Sequence, residues 1–373
     1  MSGVRIPPGV QEIERKSGRW VGAVSTPTGR KLYYGATRKA VQDQVTDALK
    51  NVKDGIPLPT GNHSVAEYLA DWLEAARPSI RGRTWERYEQ LLRLHVIPNL
   101  GKLRMSQLSP LHLQQLYAKL LESGLSQTTV RKVHMLLHRA LQQAARWGFV
   151  ARNVTTLVDA PRNAHHEMQT LSPEQARHLL DAARGHRLEA LFVVAVTTGI
   201  RRGELLGLRW QQVDLEGGSL EVLVSLQRTR DGCEFAEPKT AHSRRRVSLP
   251  EIATDALRRH RVKQNEERLA ADEWEGNDLV FANEVGRPVD APNLLRRAYW
   301  PLLKKAGLPQ IPFHALRHTA ATLLLRKGIH PKIVQEMLGH SSIAITLDLY
   351  SHAVPTMQRE ATAAMDALLT GIN

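Results

Sequence analysis

Two short segments rich in proline and polar residues interrupt the helical pattern of this chain. The first is PLPTGNHS at residues 57–64, and the second is PRNAHHEMQT at residues 161–170. Such segments favour exposed connections between packed elements. At 373 residues the chain is also longer than one ordinary domain. We therefore expect three domains, over residues 1–58, 64–161 and 170–373.

The three parts differ in their predicted secondary structure. In the first, the runs IERKSGRWVGAVS and RKLYYGAT predict short strands joined by a TPTG turn, and a helical segment follows with Thr37 as its N-cap. The second part is helical almost throughout, which predicts a compact bundle. Ser109 and Ser126 stand where two of its helices begin.

The third part mixes helical segments with strands. It opens with a helix start in which Ser172 is the N-cap, Pro173 follows, and Gln175 completes a capping box. Apolar alternation in LEVLVSL, residues 220–226, predicts one strand, and RRRVSLP, residues 244–250, predicts a returning strand. The expected fold is multidomain and mainly α with small β elements, and its last domain is mixed α+β.

The charge of the chain favours a polyanionic partner. Lys and Arg total 51 against 37 Asp and Glu, which gives a net charge of +14. This balance points first to nucleic acid and second to an anionic membrane, while a basic enzyme without such a partner stays an alternative. The single cysteine, Cys233, excludes an internal disulfide and a cysteine-rich metal site. Because the sequence has neither a signal peptide core nor an apolar run of about 20 residues, we expect a cytoplasmic protein without a membrane span.

Basic and nucleophilic residues follow one another in a fixed order through the third part. They are Arg201 and Glu204 in TGIRRGE, Lys239 in EPKTAHSRRR, His314 and Arg317 in HALRHT, and His340 and Tyr350 in LGHSSIAITLDLYSH. Cleavage of a phosphodiester without metal needs a nucleophile, cations for the non-bridging oxygens, a proton acceptor and a proton donor. These residue types supply all four. We expect one helix, beginning near Pro312, to present His314 and Arg317 on the same face.

Each of these residues has a plainer interpretation when it is taken alone. Glu204 can form a surface ion pair with Arg201, and Lys239 can be a solvated hairpin residue. Tyr350 can be a core residue, because it shares a helical stripe with Leu347. Their occurrence together, in one basic domain, favours a functional site.

The order of these motifs resembles that of the tyrosine recombinases, the phage integrase family. The resemblance rests on TGIRRGELLGLRW, PKT followed by SRR, HALRHT, LGHSS and the terminal YSH, and it extends over essentially the full chain. It implies a catalytic domain of tyrosine recombinase type over residues 170–373. It also implies an arm-binding-like module over 1–58 and a helical, SAM-like core-binding domain over 64–161.

The resemblance further implies how the DNA bond is broken. Tyr350 attacks the scissile phosphate and keeps the 3′ end as a phosphotyrosine. His314 helps to accept the tyrosine proton, and Lys239 protonates the departing 5′ oxygen. The bond energy is preserved, so the reaction needs no ATP, and neither a cofactor nor a metal is expected.

The remaining site residues are implied to act on the phosphate. Arg201 and Arg317 bind its non-bridging oxygens, and His340 donates a further hydrogen bond. Glu204 corresponds to the family's acidic supporting residue. Arg244 and Arg245 are alternative proton donors should Lys239 not fill that role.

The family also implies partners and leaves two alternative functions open. The expected partner is double-stranded DNA, at attachment-type core sites and arm sites, bound by a homo-tetramer that an excisionase and DNA-bending proteins assist. The tail after Tyr350 is amphipathic and is expected to link protomers. The alternatives are DNA relaxation of the type IB topoisomerase kind and a DNA-binding regulator that does not cleave.

Overall fold

The computed structural model describes residues 10–16, 18–26, 29–53, 63–162, 168–229, 232–237 and 244–350, together with positions 362, 365, 366 and 369. Side chains are described over a subset of these positions that leaves out 10–17, 25–31, 51–53 and 348–350. The chain divides into two compact units, Met1–His166 and Glu167–Asn373. The fold is mainly helical with small β elements, as the sequence predicts.

The first unit begins with a three-stranded antiparallel sheet and a helix. The elements are β1 (Val10–Lys16), β2 (Arg19–Thr26), β3 (Gly29–Gly35) and α1 (Arg38–Lys53), and the strands are ordered β1-β2-β3. Thr37 caps α1 as predicted, since its Oγ1 accepts a hydrogen bond from the backbone N–H of Ala40 at 3.2 Å. The run IERKSGRWVGAVS forms two strands instead of one, because the chain reverses at Gly18, whose φ is +80°. The buried side chains of Val24 and Val41 join the helix to the sheet.

A helical bundle completes this unit. Its helices are α2 (Val65–Ala76), α3 (Gly82–Leu91), α4 (Ile97–Leu100), α5 (Pro110–Glu122) and α6 (Gln127–Arg146), and a π-helical segment, Leu92–Val96, follows α3. Ser109 and Ser126 cap α5 and α6, as predicted. The bundle core is apolar, and its buried Tyr68 donates a hydrogen bond from its hydroxyl to the carbonyl of Ala140 at 2.6 Å. Among the helices in the described ranges, none has the length and hydropathy needed to cross a membrane.

The second unit is helical around two small sheets. Its helices are α7 (Pro173–Ala183), α8 (Glu189–Thr198), α9 (Arg202–Leu206), α10 (Glu251–Ala270), α11 (Ala291–Asn293), α12 (Trp300–Lys305), α13 (Ala315–Arg326), α14 (Pro331–Leu338) and α15 (Ile343–Tyr350). Its strands are β4 (Val213–Asp214), β5 (Ser219–Val222), β6 (Ser225–Thr229), β7 (Gly232–Ala236) and β8 (Arg245–Ser248). One antiparallel sheet has the order β4-β5-β8, and β6 and β7 form a separate hairpin.

Helix α8 lies at the centre of this unit. Almost every residue from Ala190 to Thr198 is buried, and α7, α10 and α13 pack against the helix. A helix that is apolar on all sides is stable only when it is covered on all sides. Its end is therefore fixed inside the domain, and the residues that follow Thr198 emerge at a defined place.

The prediction of one strand over residues 220–226 is wrong. The chain pairs β5 with β8, bends at Leu223, and then pairs β6 with β7. The bend lets β6 pack on α9, where glycine allows close contact. A Cβ added to Gly203 would lie 2.6 Å from Ser225 Oγ and 2.8 Å from the carbonyl oxygen of Leu226.

The predicted start of the helix near Pro312 is also displaced. Helix α13 begins at Ala315, and His314 occupies its N-cap position. Residues 313 and 314 form a turn in which the Ala315 N–H donates to the carbonyl of Pro312 at 2.8 Å. His314 and Arg317 remain three residues apart at the beginning of this helix.

Candidate active site

Arg201 and Glu204 lie at the end of α8, where Gly199 turns the chain. Gly199 has a φ of +63°, and a Cβ there would lie 2.5 Å from Leu338 Cδ2. Both the backbone conformation and the lack of space therefore require glycine. Arg201 follows at the N-cap of α9, and its Nη1 donates to Glu204 Oε1 at 2.7 Å. Its Nη2 donates to the carbonyl of Gly339 at 2.9 Å.

Glu204 is a buried anion shared by two arginines. Only 5% of the residue is exposed, so the surface ion pair considered above is not what the structure shows. Its Oε2 accepts from the backbone N–H of Arg201 and from Arg245 Nη2, each at 2.9 Å. Burial alone would raise the pKa of Glu204. The hydrogen bond and charge of Arg245, together with those of Arg201, lower the pKa below its ordinary value, so the carboxylate stays ionised.

Arg317 places a buried cation inside the domain. The residue is 3% exposed, and its Nη1 donates to the carbonyl of Gly199 at 2.9 Å. Its Nη2 is buried and has no hydrogen-bond partner among the residues whose side chains are described. Burial and the charge of Arg201 lower the pKa of Arg317 to about 9, so the guanidinium is still charged at neutral pH. A buried charged donor without a partner is costly, and an anion at Nη2 would remove that cost.

Two histidines lie close to this pair of arginines. His340 directly follows Gly339, is 6% exposed, and forms a hydrogen bond between its Nδ1 and Thr346 Oγ1 at 2.9 Å. Burial and the charges of Arg317 and Arg201 lower its pKa to about 3. His314 lies at the surface, yet desolvation of its ring and the charges of its neighbours, among them Arg317 and Arg201, lower its pKa to about 4. Both rings are neutral at pH 7.

A third histidine belongs to the same cluster. The rings of His314 and His318 are nearly perpendicular, with centroids 4.9 Å apart. His318 Nδ1 is buried without a hydrogen-bond partner among the described side chains. His318 lies within the HALRHT motif, one turn after His314, and its ring contacts that of His314.

The structure thus brings together five of the seven residues that the sequence nominates: Arg201, Glu204, His314, Arg317 and His340. Lys239 lies outside the described residues, in the connection between β7 and β8. Tyr350 is the last residue of α15, and its side chain also lies outside them. Leu347, on the stripe of α15 that would bury a core tyrosine, is 44% exposed. The catalytic roles of all seven remain predictions.

The contacts of Arg245 at the site are not evident from its sequence motif, which suggests only an alternative proton donor. It contacts both Glu204 and the end of α14, and its side chain is 7% exposed. A signal for its direction is present in the sequence. In a strand, residues two positions apart face the same side, so the apolar Val247 predicts that Arg245 points inward and Arg246 outward.

Comparison with known proteins identifies the family. The phage integrase family matches residues 169–357, and its N-terminal SAM-like domain matches residues 64–121. This chain belongs to the phage integrase family. It is a tyrosine recombinase, an enzyme of site-specific DNA recombination, and the comparisons favour neither of the two alternative functions.

Relatives of this recombinase extend over nearly its full length. A tyrosine recombinase XerC-like protein of Caldanaerobacter subterraneus subsp. tengcongensis is 32% identical over 360 residues, which cover 91% of this chain and 92% of the relative. An integrase of Streptomyces ambofaciens is 30% identical over 375 residues, with 95% of each chain covered. The structure of the Tn1549 transposon integrase in complex with transposon right end DNA matches with a TM-score of 0.69 and 25% identity, covering 82% of this chain and all of that one.

The low pKa of His340 predicts how stability depends on pH. An unfolded histidine has a pKa near 6.5, whereas folded His340 stays neutral down to about 3. As pH falls below 6.5, the unfolded chain binds a proton that the folded chain does not bind at His340. The free energy of unfolding therefore falls, by up to about 1.4 kcal/mol per pH unit for one such group. Urea unfolding at pH 6 and at pH 5 measures the free energy of unfolding. For the His340→Asn variant, the slope of this free energy, its change per pH unit, should be smaller than for the wild type by about this amount.

A matched variant separates titration from lost packing. Thr346→Val removes the hydrogen bond to His340 but keeps the histidine, so we expect lower stability with an unchanged slope. The free energy of unfolding of His340→Asn could instead depend on pH as strongly as that of the wild type. That result would show that His340 is already protonated in the folded protein, and the prediction of a neutral ring would be wrong.

Proposed function

We propose that this recombinase cuts and rejoins DNA through a phosphotyrosine at Tyr350. The phenol oxygen forms a bond to the scissile phosphorus while the bond to the 5′ oxygen breaks. His314 receives the phenol proton, and Lys239 gives a proton to the departing 5′ oxygen. Religation reverses these transfers, so no ATP is consumed.

The observation that carries this proposal is the buried, charged Arg317, whose Nη2 has no hydrogen-bond partner among the residues that the structure describes. A guanidinium matches the geometry of a phosphate and keeps its charge when it is buried. Arg201 Nη2 donates a hydrogen bond to the carbonyl of Gly339, the residue directly before His340. We infer that Arg201, Arg317 and His340 converge on the non-bridging oxygens of one phosphate, where charge grows in the transition state.

The neutral histidines fit the roles proposed for them. A neutral imidazole has one N–H and one acceptor nitrogen. His340 can therefore accept from Thr346 at Nδ1 and donate its other N–H to the phosphate. His314 can accept a proton because its ring is not yet charged. Cations beside the Tyr350 phenol would favour its phenolate, because a tyrosine side chain otherwise has a pKa near 10.

We further propose a division of labour along the chain. Residues 1–58 would bind arm sites, residues 64–161 would bind core sites, and residues 170–373 would perform the chemistry. The net charge of +14 supports extensive phosphate contacts, so affinity should fall steeply with salt. The family resemblance supports a homo-tetramer that integrates and excises a mobile element in the bacterial cytoplasm, assisted by an excisionase and DNA-bending proteins.

Recombination of a supercoiled plasmid tests this function. Its two target sites would be the junctions sequenced where the element that carries this gene meets host DNA. With the purified chain, EDTA and no ATP, we expect excision of the segment between the sites and no change in a plasmid without them. Relaxation of the plasmid without sites would indicate a topoisomerase, and binding without strand cleavage would indicate a regulator.

A further inference from the structure

Arg245 lies between two parts of the active site. It is the first residue of β8, pairs with Val222 of β5, and shares the inward face of the strand with the buried Val247. Its side chain is 7% exposed, so it is directed into the domain. The next residue, Arg246, points the other way and is 63% exposed.

The contacts of Arg245 form a closed ring. Its Nη2 donates to Glu204 Oε2 at 2.9 Å, and Glu204 Oε1 accepts from Arg201 Nη1 at 2.7 Å. Arg201 Nη2 donates to the carbonyl of Gly339 at 2.9 Å, and Arg245 Nε donates to the carbonyl of Met337 at 2.7 Å. The ring therefore joins β8, α9 and the last turn of α14.

The end of α14 is held by both arginines. The last carbonyls of a helix have no partner inside the helix and carry partial negative charge, so guanidinium donors there are favourable. Gly339, with a φ of +68°, lets Arg245 come close, because a Cβ there would lie 3.0 Å from Arg245 Nη1. His340 is the next residue, and its backbone position depends on this turn.

We infer that Arg245 is a positioning residue: through Glu204 it orients Arg201, and through the Met337 carbonyl it fixes His340, without touching the scissile phosphate. This inference rests on the roles proposed above for Arg201 and His340. Without Arg245, Arg201 would be the one cationic hydrogen-bond partner of Glu204 among the described residues. The Arg201 fork would then turn toward Glu204 and away from the phosphate. From its motif alone, Arg245 is an alternative proton donor. Its Nε and Nη2 are instead engaged with Met337 and Glu204.

The Arg245→Lys variant tests this inference. Lysine keeps the charge and most of the length, but a single ammonium cannot reproduce the fork that reaches both Glu204 and Met337. On a nicked suicide duplex, which traps the cleaved product, we expect the cleavage rate at saturating DNA to fall about 100-fold, as misplacement by about 1 Å can cause. The DNA dissociation constant should change less than about threefold, because one misplaced guanidinium removes only a small part of the phosphate contacts that determine affinity.

Arg246→Lys is the matched control. Arg246 is adjacent and basic, but its contacts are Ser219 Oγ at 2.9 Å and Asp214 Oδ2 at 3.3 Å, on the other face of the sheet. This variant should cleave at the wild-type rate. Wild-type cleavage by Arg245→Lys as well would overturn the inference.

A double-mutant cycle separates positioning from general loss of structure. Suppose that Arg245 acts on Arg201 through Glu204. The double variant Glu204→Gln/Arg245→Lys should then lose much less cleavage rate than the product of the fold-losses of the two single variants. Effects that multiply fully would show that the two residues act independently, which contradicts the ring. The cycle uses rates at saturating DNA, so a change in affinity does not enter it.

A substrate with sulfur in place of the bridging 5′ oxygen distinguishes positioning from proton donation. The sulfur leaves without a proton, so this substrate should restore cleavage by Lys239→Ala but not by Arg245→Lys. Restoration of Arg245→Lys would identify Arg245 as the proton donor and overturn the inference. Tyr350→Phe, run in parallel, separates the two proposals, because an adduct with that variant would refute the proposed function itself.

Discussion

The Tyr350→Phe variant is expected to bind its target DNA as tightly as the wild-type chain and to form no covalent adduct with it. The substitution removes the phenol oxygen that would attack phosphorus, and no other group of the variant replaces it. Binding should persist because the substitution leaves the proposed phosphate ligands Arg201 and Arg317 unchanged. An end-labelled, nicked suicide duplex resolved on a denaturing protein gel measures the adduct, and a filter-binding titration measures affinity.

A second tyrosine in the same unit provides the matched control. Tyr299 is fully buried, and its hydroxyl has no hydrogen-bond partner among the described residues. Burial raises the pKa of Tyr299, so it cannot readily supply a phenolate. Removing an unpaired buried hydroxyl costs little, and Tyr299→Phe should form the adduct at the wild-type rate. An adduct with Tyr350→Phe would move the nucleophile to another residue.

Local signals in the sequence predict where many elements begin. Ser172 caps α7 as expected, with its Oγ accepting from the Gln175 backbone at 3.2 Å and Gln175 Oε1 accepting from the Ser172 N–H at 2.9 Å. Such caps involve residues three positions apart, so the sequence contains all the information they need. The division of residues 220–226 into two strands has a different origin. There β5 pairs with β8, whereas β6 pairs with β7 and packs on α9. The alternation of apolar residues does not encode these contacts between separate elements.

At the active site too, the sequence predicts local pairs of residues but not contacts between distant elements. The spacing of Arg201 and Glu204 predicts that they can meet, but it does not say that Glu204 is buried. Its buried carboxylate is paired with Arg245, which is 41 residues away in sequence and is placed for this 2.9 Å contact by the β5–β8 pairing. Arg317 is predicted as a phosphate ligand from its motif alone. That its Nη2 is buried without a partner in the described part of the chain follows only from the packing of α13 on α8.

Replacement of Arg317 by alanine is expected to slow cleavage by about 100–1000-fold at saturating DNA, as the loss of one transition-state donor does. Binding should weaken far less, because many other phosphate contacts contribute to affinity. Single-turnover cleavage on the suicide duplex measures the effect. Arg326, which is exposed at the end of the same helix, provides the control, and Arg326→Ala should cleave at the wild-type rate.

The stability of the protein without DNA is expected to respond to replacement of Arg317 in the opposite direction from the cleavage rate. In the protein without DNA, Arg317 Nη2 is a buried, charged donor without a partner among the described side chains, and burying such a donor costs about 1–3 kcal/mol or more. Arg317→Met keeps much of the side-chain volume and removes that cost, although it also gives up the hydrogen bond to Gly199. We therefore expect the methionine variant to unfold at the same urea concentration as the wild type or a higher one, while it cleaves as poorly as the alanine variant. A large loss of stability would show that Arg317 serves the fold, and the case for a phosphate at Nη2 would then lose its main support.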